Sequence, residues 1–129
     1  MRHGLIDRLV VVITLTLVGA SVVFALAANS SGQNRTDAVL SLEPDIEHGR
    51  EIYSEDAQPT CASCHTLQDA GARSDVASNL DELQPSARAT VESILSGSVA
   101  GHDREDYVNE LSNRDLADVA GYLEAVAGQ

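Results

Sequence analysis

The sequence predicts an all-α protein: one apolar N-terminal helix, then a small domain of about three main helices. Three observations lead there. Three stretches carry helix start signals, with apolar side chains recurring every three or four residues. No stretch alternates apolar and polar residues as a half-buried strand would. Ahead of the domain, Leu9 to Ala28 form a run of 20 residues without a charge.

At about 1.5 Å per residue, a helix of that length spans about 30 Å, the thickness of a bilayer core. Arg2 and Arg8 precede the run, so the positive-inside bias puts the N-terminus in the cytoplasm and the rest of the chain outside. The alternative is a cleaved signal peptide, since Ala25-Leu26-Ala27 has the small-x-small pattern of a cleavage site. The run is longer than the roughly 7–15 residues of a signal core, which favours a transmembrane anchor over residues 1–28. Residues 29–42 begin NSSGQNRTD, polar and containing Gly and Ser, and read as a flexible tether. The folded domain is expected over 43–129.

The first helix of that domain follows Pro44-Asp45 and runs through IEHGREIYSE to about Glu55, with Pro59 barring continuation. The second opens at Ser86 after Pro85, carries Ala87, Val91, Ile94 and Leu95 on one face, and closes at Gly97. The third has Ser112 as its cap, with Asp115 three residues on as in a capping box. Its apolar stripe is Leu116, Val119, Ala120, Leu123 and Val126 or Ala127. The connections, roughly 66–85 and 97–111, are long and irregular. Loops of that length in so small a domain need a reason, and wrapping a cofactor is one.

Composition narrows the function classes. The 129 residues carry 20 acids against 8 bases, a formal charge of −12. Such a surface repels nucleic acid and anionic lipid. Every base is Arg, and acidic, lysine-free chains of this kind resemble proteins of salt-loving microbes. There is no Trp, the one Phe is Phe24 in the apolar run, and the one Met is Met1. The domain must therefore build its core from aliphatics and Tyr53, Tyr107 and Tyr122. Roughly 90 residues bury only a modest core, and domains of that size often lean on a staple or a cofactor.

Both cysteines of the chain lie in 61-CASCHT-66. Three chemistries use a C-x-x-C spacing. In covalent haem attachment Cys61 and Cys64 form thioethers to the vinyl groups, and His65 ligates the iron from the same side. A thioredoxin-type dithiol couple sits at a βαβ pattern, and none is visible. A zinc site wants four ligands, and adjacent Cys64 and His65 do not easily reach one tetrahedral metal. A plain disulfide, or two unpaired cysteines beside an incidental His65, is the fourth possibility. C-x-x-C-H points most specifically to haem, and export of the domain agrees with it.

From about Asp45 to Val126 the chain resembles a class I c-type cytochrome, a single-haem electron carrier. Gly49 and Tyr53 in GREIY resemble that family's first helix, whose glycine lets the last helix cross closely. CASCHT matches the haem-binding motif, NLDEL sits where the family has a haem-cradling segment, and LSNRDLADVAGYLEAV matches the terminal helix. Val119, Tyr122 and Leu123 then stand where that helix meets the first. The resemblance implies a cytochrome c-like fold, one covalent haem c, and His65 as proximal iron ligand.

Two positions depart from the pattern. The family usually has Gly-Pro before Asn-Leu, the proline carbonyl accepting the proximal histidine's Nδ1–H; here stand Ala77-Ser78, and the Ser78 carbonyl can serve because the acceptor is main chain. The family's usual sixth ligand is a methionine before the last helix, and none exists there. His102, in SVAGHDREDY, is the expected substitute; His3 falls on the cytoplasmic side of the anchor and His48 on the first helix. Arg73, Arg88 and Arg104 are candidates to pair with haem propionates. No residue set suggests a general acid–base pair or a nucleophile. The expectation is an electron carrier rather than an enzyme, exchanging single electrons with redox-protein donors and acceptors on the outer face of the cell membrane. The alternative is a haem sensor or enzyme subunit with an open sixth position.

Overall fold

Asp45 begins the first helix of the domain: its carboxylate accepts the N–H groups of Glu47 and His48, at 3.1 and 3.2 Å. In the computed structural model, which describes residues 11–16, 21, 33–57, 59–97, 102 and 110–129, this helix, α1, covers Ile46–Glu51. It runs on as a π-helical turn over Ile52–Asp56, whose first two residues, Ile52 and Tyr53, are buried. Ala57, extended, ends it two residues before Pro59.

A hairpin the sequence did not announce follows, with β1 (Thr66–Leu67) antiparallel to β2 (Ala72–Arg73), in register Thr66 to Arg73 and Leu67 to Ala72. Two-residue strands are too short to show a period of two. The turn is closed by Gly71, at φ 68°. Then come α2 (Leu80–Leu83), capped by Asn79, and α3 (Ala87–Ser96), capped by Ser86 and ended by Gly97 in the left-handed conformation. The terminal helix, α4 (Asn113–Val126), starts at the Ser112–Asp115 capping box with both reciprocal hydrogen bonds formed.

All three main helices thus start and stop where their caps predict. Burial of α4 is wider than its stripe, because every residue from Leu116 to Leu123 is buried. The helix crosses α1 closely, and glycine on each helix permits it. A Cβ at Gly49 would overlap the Asp118 carbonyl, and one at Gly121 would overlap the Pro44 ring. Next to that contact the rings of Tyr53 and Tyr122 meet with centroids 6.1 Å apart. Asp118, fully buried, is satisfied there: its carboxylate accepts the Asp45 N–H at 2.8 Å and bonds His48 Nδ1 at 2.9 Å.

The chain divides into two compact units, Met1–Asn34 and Arg35–Gln129. In the first, residues 11–16 are helical and exposed. Among the described residues no helix is long and apolar enough to cross a membrane; the anchor expected over 1–28 lies mostly outside them. The expected tether needs correction. Residues 33–40 are helical, and Thr36 and Val39, three apart on one face, are buried. A polar composition had concealed a two-residue buried face, and the side chains beside it find partners on α3 and α4.

Two outcomes are expected. Gly49→Ala should lower the unfolding free energy of the haem-loaded protein by about 1–3 kcal/mol or more, as overpacking does, read by thermal or denaturant melts. The His48–Asp118 bond, with neighbouring carboxylates, raises the His48 pKa above 6.5. Its stabilisation is therefore complete below pH 6.5 and is lost as pH rises through the folded value. Burial would raise the Asp118 pKa, but bonds from His48 and the Asp45 N–H, with Arg114 nearby, outweigh it and hold the group below 3.8. That contribution holds above pH 3.8 and is lost as pH falls through the folded value. Between pH 6 and 8 the wild type should lose more melting temperature than His48→Gln; parallel curves would show that the bond contributes nothing.

Candidate functional site

CASCH is folded onto one turn. Cys61–Ser63 is a single 3-10 turn, and the Cys61 carbonyl accepts the N–H groups of both Cys64 and His65, at 3.1 and 2.9 Å. Both cysteines are thiols, partly buried. The imidazole of His65 is oriented by the main chain opposite: Nδ1 lies 2.8 Å from the Ser78 carbonyl. A carbonyl can only accept, so Nδ1 carries the proton and Nε2 is the nitrogen left for a metal. The Ala77-Ser78 departure from the resemblance is thus harmless, because the acceptor needs no proline.

Several bonds hold that geometry. The Ala77 N–H donates to the Cys64 carbonyl at 2.8 Å, and Thr66 Oγ1 donates to the Ser74 carbonyl at 2.6 Å. Tyr53 OH donates to the His65 carbonyl at 3.0 Å. Burial holds that hydroxyl well above the usual tyrosine range, so it stays a donor. The role of Tyr53 here went unread in the sequence, where it stood only as a packing aromatic.

Beside His65 opens a cavity of ≈ 450 Å³, walled mainly by Tyr53, Leu80, Leu83, Ile94, Val119 and Leu123, with Cys61 at its edge. His102 lines the same cavity, and its ring centroid is 6.1 Å from that of His65, the planes at 44°. Ser93 Oγ, on α3, lies 3.2 Å from His102 Nδ1. Burial, then the neighbouring His65, pushes the His102 pKa below 6.5, which favours the neutral imidazole that can ligate a metal.

Of the sequence-predicted site residues, Cys61, His65 and His102 come together on this cavity and Cys64 lies on the same turn. The arginines do not. Arg88 is exposed and pairs with Asp37 at 3.0 Å and Glu92 at 3.4 Å; Arg73 is exposed on β2; neither lines the cavity. Arg104 lies outside the described residues. A polar group the sequence reading passed over does line it: Thr90, buried on α3, whose hydroxyl has no hydrogen-bond partner among the described residues. Its signal was a polar residue within the apolar stripe Ala87, Val91, Ile94.

These residues fit a haem. Cys61 and His65 line an apolar cavity with Cys64 on the same turn, and a second imidazole, His102, lines it too. With ring centroids 6.1 Å apart, His65 and His102 could both hold one metal. An unsatisfied buried hydroxyl costs about 1–3 kcal/mol, and the haem propionates are acceptors Thr90 could use. The zinc alternative lacks a ligand set, since no group of three or more His, Cys, Asp or Glu among the described residues could hold a metal ion.

No family model and no curated protein matches this chain. Among solved structures, it is similar to the crystal structure of the c-type cytochrome SorU from Sinorhizobium meliloti, at 36% identity and a TM-score of 0.58, covering 65% of this chain and 92% of that one. With that identity over nearly the whole of a c-type cytochrome, and with the haem-binding turn and its cavity in place, the chain belongs to the c-type cytochromes.

Proposed function

We propose that this protein is a single-haem electron carrier of the class I type, with haem c joined to Cys61 and Cys64 and its iron held between His65 and His102. One observation carries the reading: two imidazoles line one apolar cavity, their centroids 6.1 Å apart. The bound haem would supply one-electron exchange at iron, and the chain's own residues prepare the site for it. The Ser78 carbonyl draws on the His65 Nδ1–H, which fixes the ring and raises the basicity of Nε2. Ser93 takes the Nδ1 side of His102, so Nε2 is the nitrogen that would meet the iron. Leucines, Ile94 and Val119 exclude water from the slot. With two strong ligands, little need rearrange on gaining or losing an electron. Histidine in place of methionine should lower the reduction potential relative to the family's usual pair.

Leu83, at the cavity wall, is 60% exposed, and Val76, near Ser78, is 75% exposed; these apolar surfaces would serve contact with redox-protein donors and acceptors. The uncharged run Leu9 to Ala28 supports tethering to the outer face of the cell membrane, N-terminus cytoplasmic.

Replacing both Cys61 and Cys64 by Ala should abolish covalent haem, read as loss of haem colour on a denaturing gel; haem surviving denaturation would overturn the attachment. The oxidised wild type should give a low-spin bis-imidazole resonance, and its reduced form should bind carbon monoxide slowly. His102→Ala should turn the iron high-spin and make it bind carbon monoxide rapidly. An unchanged spectrum in that variant would remove His102 from the iron, and rapid binding by the wild type would favour a sensor or an enzyme subunit.

A further inference from the structure

Ser86, Thr90 and Ser93 bring three hydroxyls from α3 and its cap to the cavity beside His65. Two of them are occupied: Ser86 Oγ accepts the Ala89 N–H at 3.2 Å, and Ser93 Oγ meets His102 Nδ1 at 3.2 Å. Thr90 is 8% exposed, and its hydroxyl has no hydrogen-bond partner among the described residues. A helical threonine can return its hydroxyl to the carbonyl one turn earlier. Here the Ser86 carbonyl accepts the Thr90 N–H at 3.0 Å and not the hydroxyl. A buried hydroxyl left in that state is destabilising, so a partner is expected from whatever fills the cavity.

Haem offers such a partner in one place only. Its ring nitrogens are taken by iron and most of its rim is hydrocarbon, so its hydrogen-bond acceptors are the propionate carboxylates. No arginine among the described residues lines the cavity, and Ser78, Gln84 and the three hydroxyls are neutral. The charge nearest the start of α3 along its backbone is another acid, Glu124, whose Oε1 accepts the Ala87 N–H at 3.0 Å. We propose that Thr90 anchors a haem propionate, its hydroxyl donating to the carboxylate. This rests on haem in the cavity and not on which residue takes the sixth position. The thioether edge of the haem then lies on the turn of Cys61 and Cys64 and its carboxylate edge toward α3, since vinyl and propionate groups stand on opposite edges of the macrocycle. A hydroxyl shares the carboxylate's charge without cancelling it, as a guanidinium would. Negative charge near the iron favours the ferric state, so the anchor also acts on the reduction potential.

The test uses the full-length, haem-loaded protein and three variants. Thr90→Val keeps the shape of the side chain and removes the hydroxyl. A hydroxyl that meets nothing is better replaced by a methyl, and the melting temperature would then rise. A hydroxyl that holds a propionate gives the opposite sign: the melting temperature falls, and the reduction potential drops as the carboxylate loses its donor. The carboxylate bands should shift as well, in infrared difference spectra between oxidised and reduced protein, assigned by isotope labelling of the propionate carbons. Thr90→Ser, which keeps the hydroxyl, should leave potential and bands at their wild-type values. Val91→Ala, buried and off the cavity, should lower the melting temperature and move neither. The proposal is overturned if Thr90→Val raises the melting temperature, or lowers it with the carboxylate bands in place, as an ordered water on the hydroxyl would give. It is overturned too if Val91→Ala moves the potential as far as Thr90→Val does. Failure of the haem reading looks different, because the wild type itself would then lack covalent haem and show no such bands.

Discussion

The close crossing of α1 and α4 is the constraint on which the rest of the domain depends. It exists because Gly49 and Gly121 have no side chain where the Asp118 carbonyl and the Pro44 ring must lie. Once the backbones touch, Asp118 is buried between the helices and must be hydrogen-bonded there, which the Asp45 N–H and His48 accomplish. The same contact brings Tyr122 against Tyr53. Tyr53 then hands the position of α1 on to the site, since its hydroxyl holds the His65 carbonyl. Two glycines thus reach His65 through one aromatic pair and one hydrogen bond.

The fold was largely legible where its signals are local. Caps and breakers at Asp45, Ser86, Gly97 and Ser112 act through their own neighbours, so the sequence carries them openly. The hairpin at Thr66–Arg73 was invisible because four strand residues cannot display a period, and the segment 33–40 because its burial depends on partners more than 50 positions away. The π-helical turn at Ile52–Asp56 likewise leaves no mark in composition.

The site divides the same way. Cys61, Cys64 and His65 were readable because their chemistry needs them adjacent. The Ser78 carbonyl was reachable through the resemblance, although its side chain plays no part. Tyr53 and Thr90 were not, since a hydroxyl's role depends on what the folded chain sets before it. The arginines show how little charge says about position. Charge alone suggested propionate partners, whereas Arg88 is occupied by Asp37 and Glu92 on the surface.

The two imidazoles are held by different kinds of structure, and this bears on how such a carrier can vary. His65 sits on a turn bonded within 61–79: its own N–H, the Cys64 carbonyl and the Ser78 carbonyl all belong to that stretch. From outside that stretch Tyr53 reaches it as well, through the His65 carbonyl. His102 meets Ser93, on a separate helix, through a single side-chain hydrogen bond among the contacts described. Contacts of that kind can be strengthened or weakened one hydrogen bond at a time without disturbing the attachment turn. On the proposed ligation, potential and access to the iron are therefore adjustable from the distal side too. The cysteines and His65 can stay constant while residues that touch neither haem nor iron tune the centre.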